Sequence, residues 1–369
     1  MSSTLILSRK RGLPFGMVVL MLVVIAQLLL AKYSRAETPT YVISELTSGG
    51  QIPCQLNNFG GFVGRGSDPA VQKTKAMVWT NGKSHSKHWG ILPGGEYSSG
   101  FAINDAGQVA GSSNTGNSMA PFIWKPGGNV ERIPLLSGDI CGQGFGINKH
   151  GHVVGYSSGP SGRRAFVWSG NAAIRNLGSL PGGSYSIARA VNDSDEVAGT
   201  SASPAGNRAV LWTHAGNTWD LGTLPGDVSS EAMAMNNAGD VVGYSKGPAG
   251  LRAFLWTKTG GMEGLSDKVS QAFAINDAGV VVGSFVSSSG DHAFVWKKQT
   301  GIMDLNDASS AALGVVLFEA HSINDKGQII AMGKNSNEGS MGNMLASSEH
   351  EDCAPAPPTS FLLTPTAAK

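Results

Sequence analysis

The sequence predicts an all-β chain: a seven-bladed β-propeller of four-stranded blades, closed by an N-terminal strand that completes the last blade. Three observations lead there. An Asn recurs at Asn57, Asn104, Asn148, Asn192, Asn236, Asn276 and Asn324, at steps of 47, 44, 44, 44, 40 and 48 residues. A Trp follows it by 20 residues in five copies, at Trp124, Trp168, Trp212, Trp256 and Trp296, and by 22 at Trp79. Each unit also divides into four short β-prone runs without an apolar stripe at helical spacing. Four such strands with their turns fill about 40–45 residues, the length of one propeller blade.

Taken in order, the first 36 residues stand apart. Arg9-Lys10-Arg11 precedes an apolar run over 13–31, interrupted only by Pro14, Gly16 and Gln27. Ser34-Arg35-Ala36 then places small residues at −3 and −1 of a cut after Ala36. That layout predicts a signal peptide over 1–36, one domain over 37–369, and a secreted or periplasmic location. The alternative is an anchor retained over 13–31, which is long enough to span a bilayer. Cutting there removes five basic residues and no acid, so the net charge falls from +1 to −4. A mildly acidic mature chain argues against general nucleic-acid binding.

YVISEL at 41–46 reads as a fourth strand with no first three before it, and SFLLTP at 360–365 as a third strand with no fourth after it. Pairing the two closes the ring and removes free sheet edges. Within a repeat, the first run (FAIN, 101–104) leads into Asn104-Asp105-Ala106-Gly107. There Asn and Asp bond the turn backbone, and Gly supplies a positive φ. The second run is Val-rich (HVVG, 152–155; DVVG, 240–243), as a strand prefers. The third (AFVW, 165–168; AFLW, 253–256) carries the Phe and Trp that bury about 150–250 Å² each between blades. The fourth is weaker: NLGSL (176–180), DLGTL (220–224) and MDL (303–305). The last repeat holds an insertion at about 335–358.

The pattern A-x-x-I-N-D-x-G-x-V-V-G-x-S, then H-A-F-x-W, then L-G-x-L-P-G-G, resembles the HAF-repeat family over roughly residues 41–365. His-Ala-Phe stands literally only at His292-Ala293-Phe294; other copies read Arg164-Ala165-Phe166, Arg208-Ala209-Val210 and Arg252-Ala253-Phe254. The resemblance implies an exported, bacterial, extracellular protein and no particular activity.

Three cysteines, Cys54, Cys141 and Cys353, leave at least one thiol unpaired in an exported chain. Cys54 follows the closing strand and Cys353 lies in the last insertion, so a Cys54–Cys353 bridge would fasten the ring at its seam; three unbridged thiols are the alternative. Two G-x-S-x-G strings, around Ser157 and Ser245, lack the helix that a nucleophile elbow requires. The pairs His85/His88 and His150/His152 have no further ligands at metal spacing, and the Asn-Asp turns carry too few carboxylates for calcium. No cofactor or metal is expected.

The repeats also share a position on the third strand. Four residues before the Trp stand Lys75, Ala120, Arg164, Arg208, Arg252 and His292, a basic arc suited to anionic groups. The reading set against it is that each Arg pairs locally. The loops between blades add Tyr97 and Tyr185 to the ligand-binding candidates. Five residues before the Asn stand Ser99, Gln143, Ile187, Glu231, Gln271 and Glu319, expected at the mouth of the central channel. The leading expectation is a binding protein for an extracellular glycan or protein partner, touching membrane only through a retained leader. One alternative is a carbohydrate-active lyase or hydrolase using Glu96, Glu231, Glu319 or His292. The other is a purely structural surface protein.

Overall fold

Seven four-stranded antiparallel sheets form the computed structural model, which describes residues 41–47, 51–68, 73–80, 83–85, 90–170, 173–308, 314–335 and 359–366. The leader, His88, Cys353 and the insertion over 336–358 lie outside the described residues. Blades 1 to 6 span residues 51–85, 98–132, 141–176, 186–220, 229–264 and 270–304, each in chain order. Blade 3 shows the plan: Cys141–Ile147, Val153–Gly159, Gly162–Trp168 and Arg175–Asn176. The first strands are innermost, each touching its counterparts in the flanking blades.

Blade 7 is composite, as expected. Val315–Ile323, Ile329–Asn335 and Thr359–Pro365 supply its first three strands, and Tyr41–Thr47 supplies the fourth. Tyr41 pairs with Pro365 and Glu45 with Phe361, antiparallel. Tyr41 is buried there, and burial pushes its phenol up to about 12. Among the described residues no helix is long and apolar enough to cross a membrane; one turn of helix, Leu305–Ala308, follows blade 6.

The core lies between blades rather than within them. Val154, Ala165 and Val167 of blade 3 pack on Ala188, Val197, Val210 and Trp212 of blade 4. Phe122, Phe166, Phe254 and Phe294 are fully buried, each cross-strand from a Gly of the second strand. Those glycines end the Val-Val-Gly run for a steric reason: a Cβ on Gly155 or Gly243 would stand 1.9 Å from the carbonyl of Gln143 or Glu231. The close approach coincides with a bulge. In blades 1 to 6 the first-strand ladder skips one residue, at Cys54, Phe101, Phe145, Arg189, Met233 and Phe273.

The fourth strand differs from the sequence expectation. It ends before the L-G-x-L stretch, at Asn176 and Asp220, rather than running through it. Gly178 and Gly222 turn the chain at φ of 78° and 80°, a left-handed conformation favoured by Gly. The flanking leucines become anchors: Leu177 N–H bonds the Ala165 carbonyl, and Leu180 N–H bonds the buried Ser201 hydroxyl at 2.8 Å. Ser113, Ser157 and Ser245 receive Leu92, Leu136 and Leu224 in the same way.

The repeat Asn has a second role besides its turn. Its Oδ1 accepts backbone N–H groups of its own turn, as Asn276 does from Val280 at 2.9 Å. Its Nδ2 reaches across to the next blade and donates to the carbonyl of the next repeat Asn. The bonds Asn57 to Asn104, Asn104 to Asn148, Asn148 to Asn192, Asn236 to Asn276, Asn276 to Asn324 and Asn324 to Asn57 measure 2.9–3.3 Å. At the remaining junction Asn192 turns its amide to Glu196 of its own blade, 2.9 Å away. Each link is a second bond to a carbonyl that already accepts a backbone N–H of its own turn, as Asn276 does from Gly279, and it gives the donating amide an acceptor worth about 0.5–1.5 kcal/mol net. Asn276→Ala is therefore expected to lower the unfolding free energy by about 2–3 kcal/mol in urea titration, and Asn192→Ala by clearly less. Equal losses at the two positions would show that the link between blades contributes nothing.

Candidate functional site

The ring has two mouths with different chemistry. At the Asn turns a polar cavity of about 210 Å³ is lined by residues of all seven blades, including the repeat Asn and the residue after each. Its polar groups are engaged with one another. The backbone N–H groups of Asn58, Lys149, Asp193, Asn237, Asp277 and Asp325 each donate to the side-chain oxygen of the matching residue in the next blade, at 2.8–3.1 Å. Asn58 Nδ2 bridges Asp105 and Asp325, and Asn237 Nδ2 binds Asp277. Carboxylates committed in this way hold the ring together.

At the other mouth the bulged residues of the innermost strands meet side by side. Phe101 and Phe145 contact edge to face at 5.4 Å, the Arg189 guanidinium lies 5.0 Å from the Phe145 centroid, and Phe273 stacks on His321 at 5.9 Å. Phe145 also touches Tyr156 at 5.8 Å, and Arg163 lies over the Tyr156 ring at 5.1 Å. In blade 5, Glu231 stands cross-strand from Tyr244, and its Oε1 lies 3.4 Å from Asn207 Nδ2 of blade 4. Burial, then the Glu231 charge, hold the Tyr185 phenol above its ordinary range; the same two causes push Tyr244 up further. The result is a continuous band of rings, amides and charges across blades 2 to 5. It takes in Tyr185 and Glu231 from the sequence candidates, while Phe145, Tyr156, Arg163, Arg189, Asn207 and Tyr244 escaped sequence reasoning. The available signal was the third residue before each Asn, aromatic in four of the seven copies, Phe101, Phe145, Phe273 and His321.

The basic arc does not gather at one point; each member is held by partners close to its own blade. Arg164 reaches Asp139 Oδ1 at 2.7 Å and the Ser137 carbonyl, and Arg252 reaches Asp227 at 2.7 Å and the Pro225 carbonyl. Both acids are almost wholly buried. Arg208 donates to the Val228 carbonyl at 2.7 Å and lies 3.8 Å from Asp220. His292 bonds Asp304 at 2.5 Å and Ser289 at 2.9 Å. Lys75 is buried opposite Gly66. Glu96 pairs with Lys73 at 2.8 Å, and Glu319 lies 3.3 Å from His321 in blade 7. Tyr97 is exposed on the same rim as Ile140 and Val228, at 45, 68 and 62 %.

Other motifs resolve into local structure. Ser157 and Ser245 are fully buried in second strands, with no helix following. Cys54 sits at the bulge of blade 1, its Sγ 3.9 Å from the Ile52 carbonyl. Among the described residues no group of three or more His, Cys, Asp or Glu is arranged to hold a metal ion. Asp195 occupies the turn position that is Gly elsewhere, at φ 60°. Its carboxylate meets His152 at 2.6 Å, Asn148 at 2.9 Å and His214 at 3.6 Å. Burial alone would raise its pKa, but His152, Asn148 and His214 together hold it below the ordinary value.

No protein-family model matches the chain, and no curated protein does. Solved structures share its fold. It is similar to a streptogramin B lyase (12 % identity, TM-score 0.54, 89 % of this chain and 98 % of that one). It is also similar to a catalytically inactive virginiamycin B lyase from Staphylococcus aureus with quinupristin (11 %, 0.52, 88 % and 99 %). A third is the β-propeller domain of the Trilobed protease from Pyrococcus furiosus (10 %, 0.51, 80 % and 90 %). At these identities the likeness concerns the fold.

Two outcomes follow. A double-mutant cycle on Asp227→Ala and Arg252→Ala should return a coupling of about 1–3 kcal/mol in denaturant unfolding; additive losses would mean the pair is incidental. A carboxyl held low in the folded state stabilises above its unfolded pKa and loses that contribution as pH falls through its folded pKa. The stability advantage of wild type over Asp195→Asn should therefore be complete near pH 6 and shrink below about pH 4. A difference that stays constant from pH 6 to pH 3 would contradict it.

Proposed function

We propose that this chain is an exported binding protein of the HAF-repeat type, and that it recognises an extracellular glycan at the mouth opposite the Asn turns. The observation carrying this reading is the band of Phe101, Phe145, Tyr185, Asn207 and Glu231, backed by the buried Tyr156 and Tyr244. Aromatic faces suit the apolar faces of sugar rings, while an amide and a carboxylate beside them suit paired hydroxyls. The exposed Tyr97, Ile140 and Val228 on the surrounding rim extend the contact area.

Binding is favoured over catalysis by the disposition of the acids. Glu231 and Glu319 belong to blades 5 and 7 and each faces its own neighbours, while Glu96 is tied to Lys73. Glycoside hydrolysis needs two carboxyls flanking one bond.

The test is a glycan array probed with protein exported through its own leader, comparing wild type with Tyr185→Ala and Glu231→Gln. Wild type is expected to bind a defined glycan, and each variant to bind it at least about tenfold more weakly, the cost of about one lost hydrogen bond or stacking contact. A wild type that binds no glycan overturns the reading. Equal binding by both variants would move the site elsewhere.

A further inference from the structure

Arg189 differs from Arg164, Arg208 and Arg252. Arg164 and Arg252 each meet a buried carboxylate, and Arg208 meets a carbonyl and Asp220. Arg189 Nε is buried without a hydrogen-bond partner, as is Arg164 Nε, but Arg164 has Asp139 and the Ser137 carbonyl on its other nitrogens. Its described contact is with the face of Phe145. Withdrawing a guanidinium N–H from water without an acceptor is costly, and a cation–π contact recovers only part of that cost.

Its position aims this incomplete group at the channel. Arg189 is the bulged residue of an innermost strand, where the matching positions in the flanking blades carry the uncharged Phe145 and Met233. Glu231, the nearest acid of the band, is engaged with Asn207 and lies across the ladder from Tyr244. A second buried polar atom without a partner, Gln143 Oε1, lies two residues before Phe145. The site thus has a guanidinium with an unpartnered Nε, an unpartnered amide oxygen, and the Phe145 ring beside the guanidinium.

We propose that Arg189 receives a carboxylate of the bound glycan, so that the ligand is an acidic oligosaccharide built on uronic acid residues. A planar carboxylate matches the guanidinium fork with two parallel hydrogen bonds. A ring hydroxyl of the same sugar donates to Gln143 Oε1, and the ring lies against Phe145. The inference rests on the glycan-binding reading above and adds the charge of the ligand.

Titration calorimetry at low salt tests it on the exported protein, with oligogalacturonate, oligoalginate and hyaluronan oligosaccharides as probes. Controls are the same oligomers with their carboxyls reduced to alcohols, and a sulfated glucan oligomer. Wild type is expected to bind at least one uronate about tenfold or more tighter than its reduced form, a preference weakened by added salt. Arg189→Met should abolish that preference, and Arg189→Lys should retain part of it. Thermal unfolding separates this role from a structural one: Arg189→Met should leave Tm unchanged or higher, since it removes an uncompensated buried group. Equal binding of acidic and reduced oligomers, unchanged in Arg189→Met, overturns the acidic ligand and leaves glycan binding standing. Binding of the sulfated oligomer alone replaces carboxylate by sulfate and overturns the assignment. Binding of no carbohydrate probe removes both readings, and a Tm fall of more than about 4 °C in Arg189→Met makes the residue structural.

Discussion

A closed ring of sheets has to solve one problem that an open stack does not: the last interface must have the same geometry as the first. Here that geometry is set by side-chain amides at the inner end of every blade. Two concentric series of hydrogen bonds run around the turns, one from each repeat Asn amide to the next repeat Asn carbonyl, the other from the following backbone N–H to the next side chain. Each series is interrupted once. The amide series lapses where Asn192 turns to Glu196, and the backbone series lapses where Asp105 meets Lys149, a side chain with no acceptor. The lapses fall at different junctions, so every junction keeps at least one bond. Single links are worth about 1 kcal/mol net, and they add to carbonyls already bonded within their own turns.

That constraint explains why the architecture was legible and the site was not. A group that must recur in seven places leaves a period in the sequence, and Asn57 to Asn324 are that period. The composite blade was readable for the same reason: residues 41–46 and 360–365 are the pieces left over when whole repeats are removed. What the period cannot show is direction. It marked Asn104 as a turn former but gave no sign that its amide leaves the blade. It marked the third-strand arginines as a repeated basic position but not that Asp139 and Asp227 lie 25 residues before Arg164 and Arg252, where loop and strand close on each other. That spacing was present in the chain and is the signal for local pairing. The L-G-x-L stretch misled differently, because alternating leucines resemble a strand until the left-handed Gly between them is taken into account.

The two mouths also show how one repeat produces unequal faces. At the Asn turns the same residue types recur and satisfy one another, so little polar capacity remains for anything outside. At the opposite mouth the bulge positions hold Cys54, Phe101, Phe145, Arg189, Met233 and Phe273, with no type common to all. Recognition is better served by variation of this kind, since a ligand lacking the ring's symmetry needs different groups from different blades. Rigid elements with varied side chains at one end are the general arrangement of binding scaffolds.

The bulge is where these two demands meet. Skipping one residue lets the second-strand Gly approach the first-strand carbonyl closely, which tightens each blade and explains the Gly of Val-Val-Gly. The skipped residue is left outside the ladder, on the strand nearest the axis, with no cross-strand partner to dictate its type. Its side chain can vary without disturbing the strand pairing, although it packs on its counterparts in the flanking blades. A fold that requires strict repetition for closure has therefore left, once per blade and at the channel, a position free to vary. An arginine whose Nε has no acceptor at one of those positions is a cost that closure of the ring does not require.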